Sequence, residues 1–260
     1  MADHLIDCDC ASQLGQMVTL AHQQGPEKVI FQTSLMSALL SGVYDGSMTV
    51  ADLLEKGDFG LGTFNHLDGE LVALDHQIYQ LKSDGSAQQA RAEQQTPFAV
   101  MTFFQPDYCL ELDQPTSRQA IHRLIDQHLP SDNLFCALRI EGNFQQAQTR
   151  TVPEQCRPYR PMQEAIAEQP IFTFNQKTGS VIGFRTPQYM QGINVAGYHE
   201  HFITDDRQGG GHLLDYQLLS GTLTFGEIHK LVVDLPTHHE FLNADLHPEG
   251  LDQAIRAVES

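Results

Sequence analysis

Apolar and polar positions alternate along much of this chain, and the alternation is cut by Asp/Gly turns. Residues 28–32 read as a short strand, and 34–40 as a helix broken by Gly42-Val43-Tyr44-Asp45-Gly46. Thr49 is placed to cap a helix over 50–55 that Gly57 stops. From Phe59 the period shortens to that of strands: 60–64, 70–74 and 77–81 are separated by Asp/Gly turns, and 98–104 follows. Ser117 caps a helix to about His128, with Ile121, Leu124, Ile125 and His128 at helical spacing on its buried face. A strand over 134–140 comes next, and Gly142 predicts a turn into 144–151.

Residues 153–161 hold three prolines and three charged residues, offer little to a core and cannot continue a strand ladder. They predict a hinge between a mixed α/β domain, 1–160, and an antiparallel β domain, 161–260. In the second, a short helix over 161–168 leads to strands at 171–174 and 181–184 around a Lys177-Thr178-Gly179 turn, then to a hairpin, then to strands at 222–225 and 228–235. The fold class expected is therefore α/β (α+β) in two domains, with a mixed β-sheet first half and a mainly antiparallel, barrel-like second half. Thr63-Phe64-Asn65, Gly69 and Tyr79 recur as Thr173-Phe174-Asn175, Gly179 and Tyr189, which fits either a duplicated hairpin or two hairpins that each need a turn glycine.

With 260 residues and 41% hydrophobic composition the chain can bury a sizeable core. Lys+Arg of 15 against Asp+Glu of 33 gives a net charge of −18, which disfavours nucleic acid and anionic lipid as partners. A small anionic substrate would need a local island of positive charge. The first residues carry Asp3, His4, Asp7 and Asp9 without an apolar core, unlike a secretory signal, and no stretch is long enough to span a membrane. Five irregularly spaced cysteines predict a reducing, cytoplasmic setting, and Cys8-x-Cys10 reads as a chelating pair or as two free thiols.

The chemistry concentrates in Tyr198-His199-Glu200-His201-Phe202. His199 and His201 project from one face of a strand, and the turn residues over 205–211 bring His212 back opposite them. Three neutral imidazoles suit zinc or another borderline divalent ion and leave a coordination position open, as catalytic zinc does. A structural site would want a fourth ligand, yet no cysteine lies within forty residues of His199. In a chain with 13 histidines the same pattern also fits ordinary half-buried imidazoles. Glu200, between the two, is predicted to face away from the metal.

Four segments taken together resemble the acetolactate decarboxylase family: Gly60-Leu61-Gly62-Thr63-Phe64-Asn65 running into Leu67-Asp68-Gly69-Glu70, Thr149-Arg150-Thr151-Val152-Pro153, Gly183-Phe184-Arg185-Thr186-Pro187, and His199-Glu200-His201-Phe202-Ile203-Thr204-Asp205-Asp206-Arg207 to Gly211-His212. The resemblance runs from about Val29 onward. It implies that His199, His201 and His212 hold one Zn2+ per chain, with Glu70, Arg150 and Thr63 as polar active-site groups and Glu259 as a further glutamate matched by position. It implies conversion of 2-acetolactate, a small anionic 2-hydroxy-3-oxo acid, to acetoin and CO2 through a metal-stabilised enediolate, with Arg150 on the carboxylate or enediolate and Glu70 or Glu259 as proton donor. A homodimer is expected. From the local site alone, a cupin-like iron oxygenase is the competing enzyme class, although such sites have a glutamate shortly after HxH where this chain has Thr204-Asp205. A noncatalytic metal-stabilised module would need a fourth protein ligand.

Overall fold

A computed structural model describes residues 17–19, 27–167, 169–248 and 250–259. Cys8 and Cys10 lie outside them, as does the side chain of Glu259. Two seven-stranded sheets pack on each other over a shared central core, and each covers a further buried cluster. The first runs Lys230–Asp234, Val29–Thr33, Phe98–Thr102, Phe59–Thr63, Glu70–Leu74, Gln77–Leu81, Ala87–Gln89. It is mixed, because Lys230–Asp234 lies parallel to Val29–Thr33 while the other pairs are antiparallel. Phe59–Thr63, Glu70–Leu74 and Phe98–Thr102 are buried at every position, as expected of strands covered on both faces. Leu61, Val72 and Phe98 on one face meet Ile182, Phe184 and Ile203 of the second sheet, and Leu71, Ala73 and Ala99 on the other meet Val50 and Leu53 of helix Val50–Leu54.

The second sheet is largely antiparallel and runs Met17–Thr19, Tyr108–Leu112, Gly210–Ile228, Phe135–Arg150, Ile171–Thr186, Gly197–Thr204, with Thr116–Ser117 also on Gly210–Ile228. The expected barrel-like closure is not found. The hairpin between Gly197–Thr204 and Gly210–Ile228 pairs only at His201↔His212, Phe202↔Gly211 and Ile203↔Gly210. Beyond that point the same edge of Gly210–Ile228 pairs with Thr116–Ser117 and Tyr108–Leu112 instead of Gly197–Thr204, while its other edge runs along Phe135–Arg150. Each large sheet takes strands from both sides of Pro153.

Several local expectations meet a different outcome. Gly142 and Lys177-Thr178-Gly179 do not turn the chain: both lie inside continuous sixteen-residue strands, where Gly142 pairs with Gly179 and Gly221. The strand expected at 222–225 is the end of Gly210–Ile228, and the 161–168 helix shortens to Met162–Ala165. Gly69 sits at φ 84 in a turn, whereas Gly179 is paired within strands, so the two similar segments are not copies of one hairpin. Helix Arg118–His128 is capped by Ser117, whose hydroxyl accepts from Ala120 N at 3.3 Å, and buries Ile121, Leu124 and Ile125. Among the described residues no helix is long and apolar enough to cross a membrane.

Candidate active site

Strand register assembles the histidines. His212 lies directly opposite His201 on one side and Arg150 on the other, so Arg150, His212 and His201 form a row across three adjacent strands. His199 is two residues along from His201 and projects from the same face. The three rings stand 5.1 to 5.5 Å apart between centroids, and one ligand atom from each lies within 4.8 Å of the others.

All three imidazoles are buried, and desolvation, reinforced by the Arg150 charge and by neighbouring histidines, holds them neutral. His199 is pushed down to about 3. The tautomer of His201 is fixed by its surroundings. Its Nδ1 lies 2.9 Å from the carbonyl oxygen of Leu71, which can only accept, so Nδ1 carries the proton and Nε2 presents a lone pair. That Nε2 is buried without a hydrogen-bond partner among the described residues, and Glu70 Oε2 is 3.7 Å away. Neutral imidazoles facing one point, one of them with its lone pair committed inward, are the donor set a borderline divalent ion requires.

The first sheet supplies the opposite wall. Glu70 begins its strand just after Gly69, directly across the hairpin from Thr63, whose hydroxyl donates to Gly69 O at 2.8 Å. Thr63, Glu70, Arg150, His199 and His212 line one cleft, whose apolar side carries Met36, Leu39, Phe98 and Met162. Glu70, Arg150 and Thr63 thus stand with the histidines. Glu259 closes helix Leu251–Glu259, which packs against Met36–Leu40 and Met162–Ala165, two helices whose residues line the cleft.

Sequence reasoning missed what supports the ligand strand from behind. Glu200, fully buried, accepts from Arg118 Nε at 2.6 Å and lies 3.0 Å from His122 Nε2. Burial pushes its carboxyl up, but the hydrogen bonds and charges of His122 and Arg118 outweigh this and leave it below its ordinary value. Arg118 also donates to Leu214 O at 3.0 Å, and His122 stacks on Tyr198. Only the alternation rule hinted at this, by placing Glu200 on the far face.

Fold and site together define a two-sheet protein with a candidate metal centre in an intersheet cleft that also holds a carboxylate and a guanidinium. The family model for alpha-acetolactate decarboxylase matches residues 30–248, and the chain belongs to that family, so it is an enzyme of the carboxy-lyase class. It is 64% identical over 258 residues to the alpha-acetolactate decarboxylase of Raoultella terrigena, covering 99% of this chain and 100% of the relative. It is 65% identical over 260 residues to that of Klebsiella aerogenes, covering 100% of both. The crystal structure of the Bacillus subtilis enzyme superposes with a TM-score of 0.87 at 44% identity, covering 89% of this chain and 99% of that one.

Proposed function

We propose that this chain decarboxylates 2-acetolactate to acetoin and CO2, with one zinc ion per chain held by His199, His201 and His212. The observation that carries the reading is the inward lone pair of His201, beside two further neutral imidazoles and within 3.7 Å of the Glu70 carboxylate. Loss of CO2 leaves an electron pair that must move onto the neighbouring carbonyl, giving an enediolate. Zinc, when bound, supplies Lewis-acid charge that stabilises developing oxyanions more in the transition state than in the ground state. Arg150, buried at the end of its strand, holds the substrate carboxylate, and its permanent charge makes it unsuited to proton donation. Glu70 delivers the proton that converts the enediolate to acetoin, with Glu259 as the second candidate donor. Thr63 fixes the Gly69 turn and so the position of Glu70.

The charge of −18 favours a small substrate drawn to this cationic island over nucleic acid. Cys109, Cys136 and Cys156 are free, in keeping with a cytoplasmic setting, and a homodimer is part of the same reading. His212→Ala is the test. It removes one of three ligands, so metal content by elemental analysis and acetoin release should both fall to near background while the circular dichroism spectrum is kept. Full metal occupancy in that variant would overturn the assignment.

A further inference from the structure

Met162, Ile166 and Gln169 all line the cleft. Helix Met162–Ala165 is capped by Ile166, whose N donates to Met162 O at 3.0 Å, and Gln169 is tied back to this end by its N donating to Ile166 O at 3.1 Å. Two of the three side chains are apolar. The third ends in a carboxamide whose Oε1 is buried and has no hydrogen-bond partner among the described residues. A buried acceptor left unmet costs stability, and a chain keeps such a group where a ligand or an ordered water satisfies it.

The chemistry of the ligand follows from the inventory of the cleft. Arg150 is the cation suited to a carboxylate, and the imidazole cluster is the centre suited to chelating oxygens. The anion of a 2-hydroxy-3-oxo acid offers a single hydrogen-bond donor, its hydroxyl group. We propose that Gln169 is a specificity-determining residue that accepts this hydroxyl proton, orienting the hydroxyl-bearing carbon within the cleft. The inference rests on the decarboxylase reading above and deepens it by assigning recognition of the substrate hydroxyl to Gln169.

The test compares two stable acids of nearly equal size as competitive inhibitors of acetolactate turnover by the zinc-loaded enzyme. 2-Hydroxy-2-methylpropanoate and 2,2-dimethylpropanoate differ only by a hydroxyl in place of a methyl. Replacing Gln169 by Leu should reduce the preference for the hydroxy acid by about three- to ten-fold, the range of one neutral hydrogen bond, and lower kcat/KM for acetolactate by a similar factor. Inhibition by the dimethyl acid should be unchanged, and the melting temperature equal or higher, because an unmet polar atom has been removed from an apolar wall. Gln169→Glu keeps an acceptor and should retain the preference even if both acids bind less well. An unchanged preference in Gln169→Leu, or an equal weakening of both inhibitors with a falling melting temperature, overturns the proposal. If neither acid inhibits the wild type, kcat/KM decides, and an unchanged value overturns it. Chelator-sensitive acetoin release by the wild type tests the underlying reading separately.

Discussion

Behind the site, Arg118 holds both the Glu200 carboxylate and the Leu214 carbonyl. It is about a quarter exposed, while the Glu200 side chain it pairs with is wholly buried. The two halves of the pair should therefore differ in what their removal leaves behind. Arg118→Met strips a buried carboxylate of its permanently charged partner, leaving His122 Nε2 at 3.0 Å, and also frees Leu214 O. Breaking a buried pair in this direction costs ~3–5 kcal/mol, and the surviving His122 contact argues for the lower end. Glu200→Gln keeps the shape and an acceptor, and the Arg118 head can turn toward water, so the loss should be ~1–2 kcal/mol. Equilibrium unfolding in urea of the chelator-treated proteins measures both, and metal content is followed separately. Equal losses, or a larger loss for Glu200→Gln, would refute the claim that an unpaired Glu200 is the expensive outcome.

Two further outcomes follow from burial. Cys136 is wholly buried and its thiol is pushed up to about 12 by desolvation, so it stays protonated and unreactive toward iodoacetamide in the native enzyme at pH 8, while exposed Cys156 is alkylated; peptide mass spectrometry that found Cys136 modified before unfolding would contradict this. Deleting Glu259 and Ser260 should reduce turnover by orders of magnitude with little change in zinc content or melting temperature, since Ile255, buried in the core, and Leu251, packed against it, would still anchor the last helix. Undiminished turnover in that truncation would leave Glu70 as the sole candidate donor.

What was legible in the sequence was local. Thr49 with Asp52 closes a reciprocal cap on helix Val50–Leu54, Ser117 caps Arg118–His128, and strands Glu70–Leu74 and Gln77–Leu81 lie where turn residues and alternation put them. The glycines of the second sheet misled because glycine serves two needs that one sequence cannot separate. A Cβ on Gly142 would stand 2.3 Å from Ser220 O and 2.7 Å from the Cα of Gly221, and one on Gly179 would stand 2.6 Å from the Phe202 ring. These glycines permit close approach between strands and do not form turns. In the cleft, the HxH pair and its hairpin could be read from spacing, and Glu70 and Arg150 only from motif resemblance. Alternation placed Glu200 on the far face but gave no sign of Arg118 and His122, which tertiary packing brings to it across some 80 positions of chain, and nothing in the local pattern marked Gln169.

The row that places Arg150 beside His212 depends on the last of three register shifts between Phe135–Arg150 and Gly210–Ile228. Gln148 pairs with Asp215, but Thr149 pairs with Leu213, so Leu214 is skipped and the register shifts by one before Arg150 meets His212. Side chains in a strand alternate between faces, and a regular ladder would have set Arg150 opposite Leu213, which packs in the other core. The bulge therefore places Arg150 in the same cross-strand row as the histidines, a common use of such irregularities next to active sites. Its cost is a residue left out of the ladder, and the carbonyl of Leu214 finds its partner in Arg118. One guanidinium thus secures both the irregularity that aligns Arg150 with His212 and the carboxylate that separates His199 from His201. Loss of Arg118 should for that reason weaken metal retention as well as stability, whereas loss of the Glu200 charge alone leaves the Leu214 carbonyl satisfied.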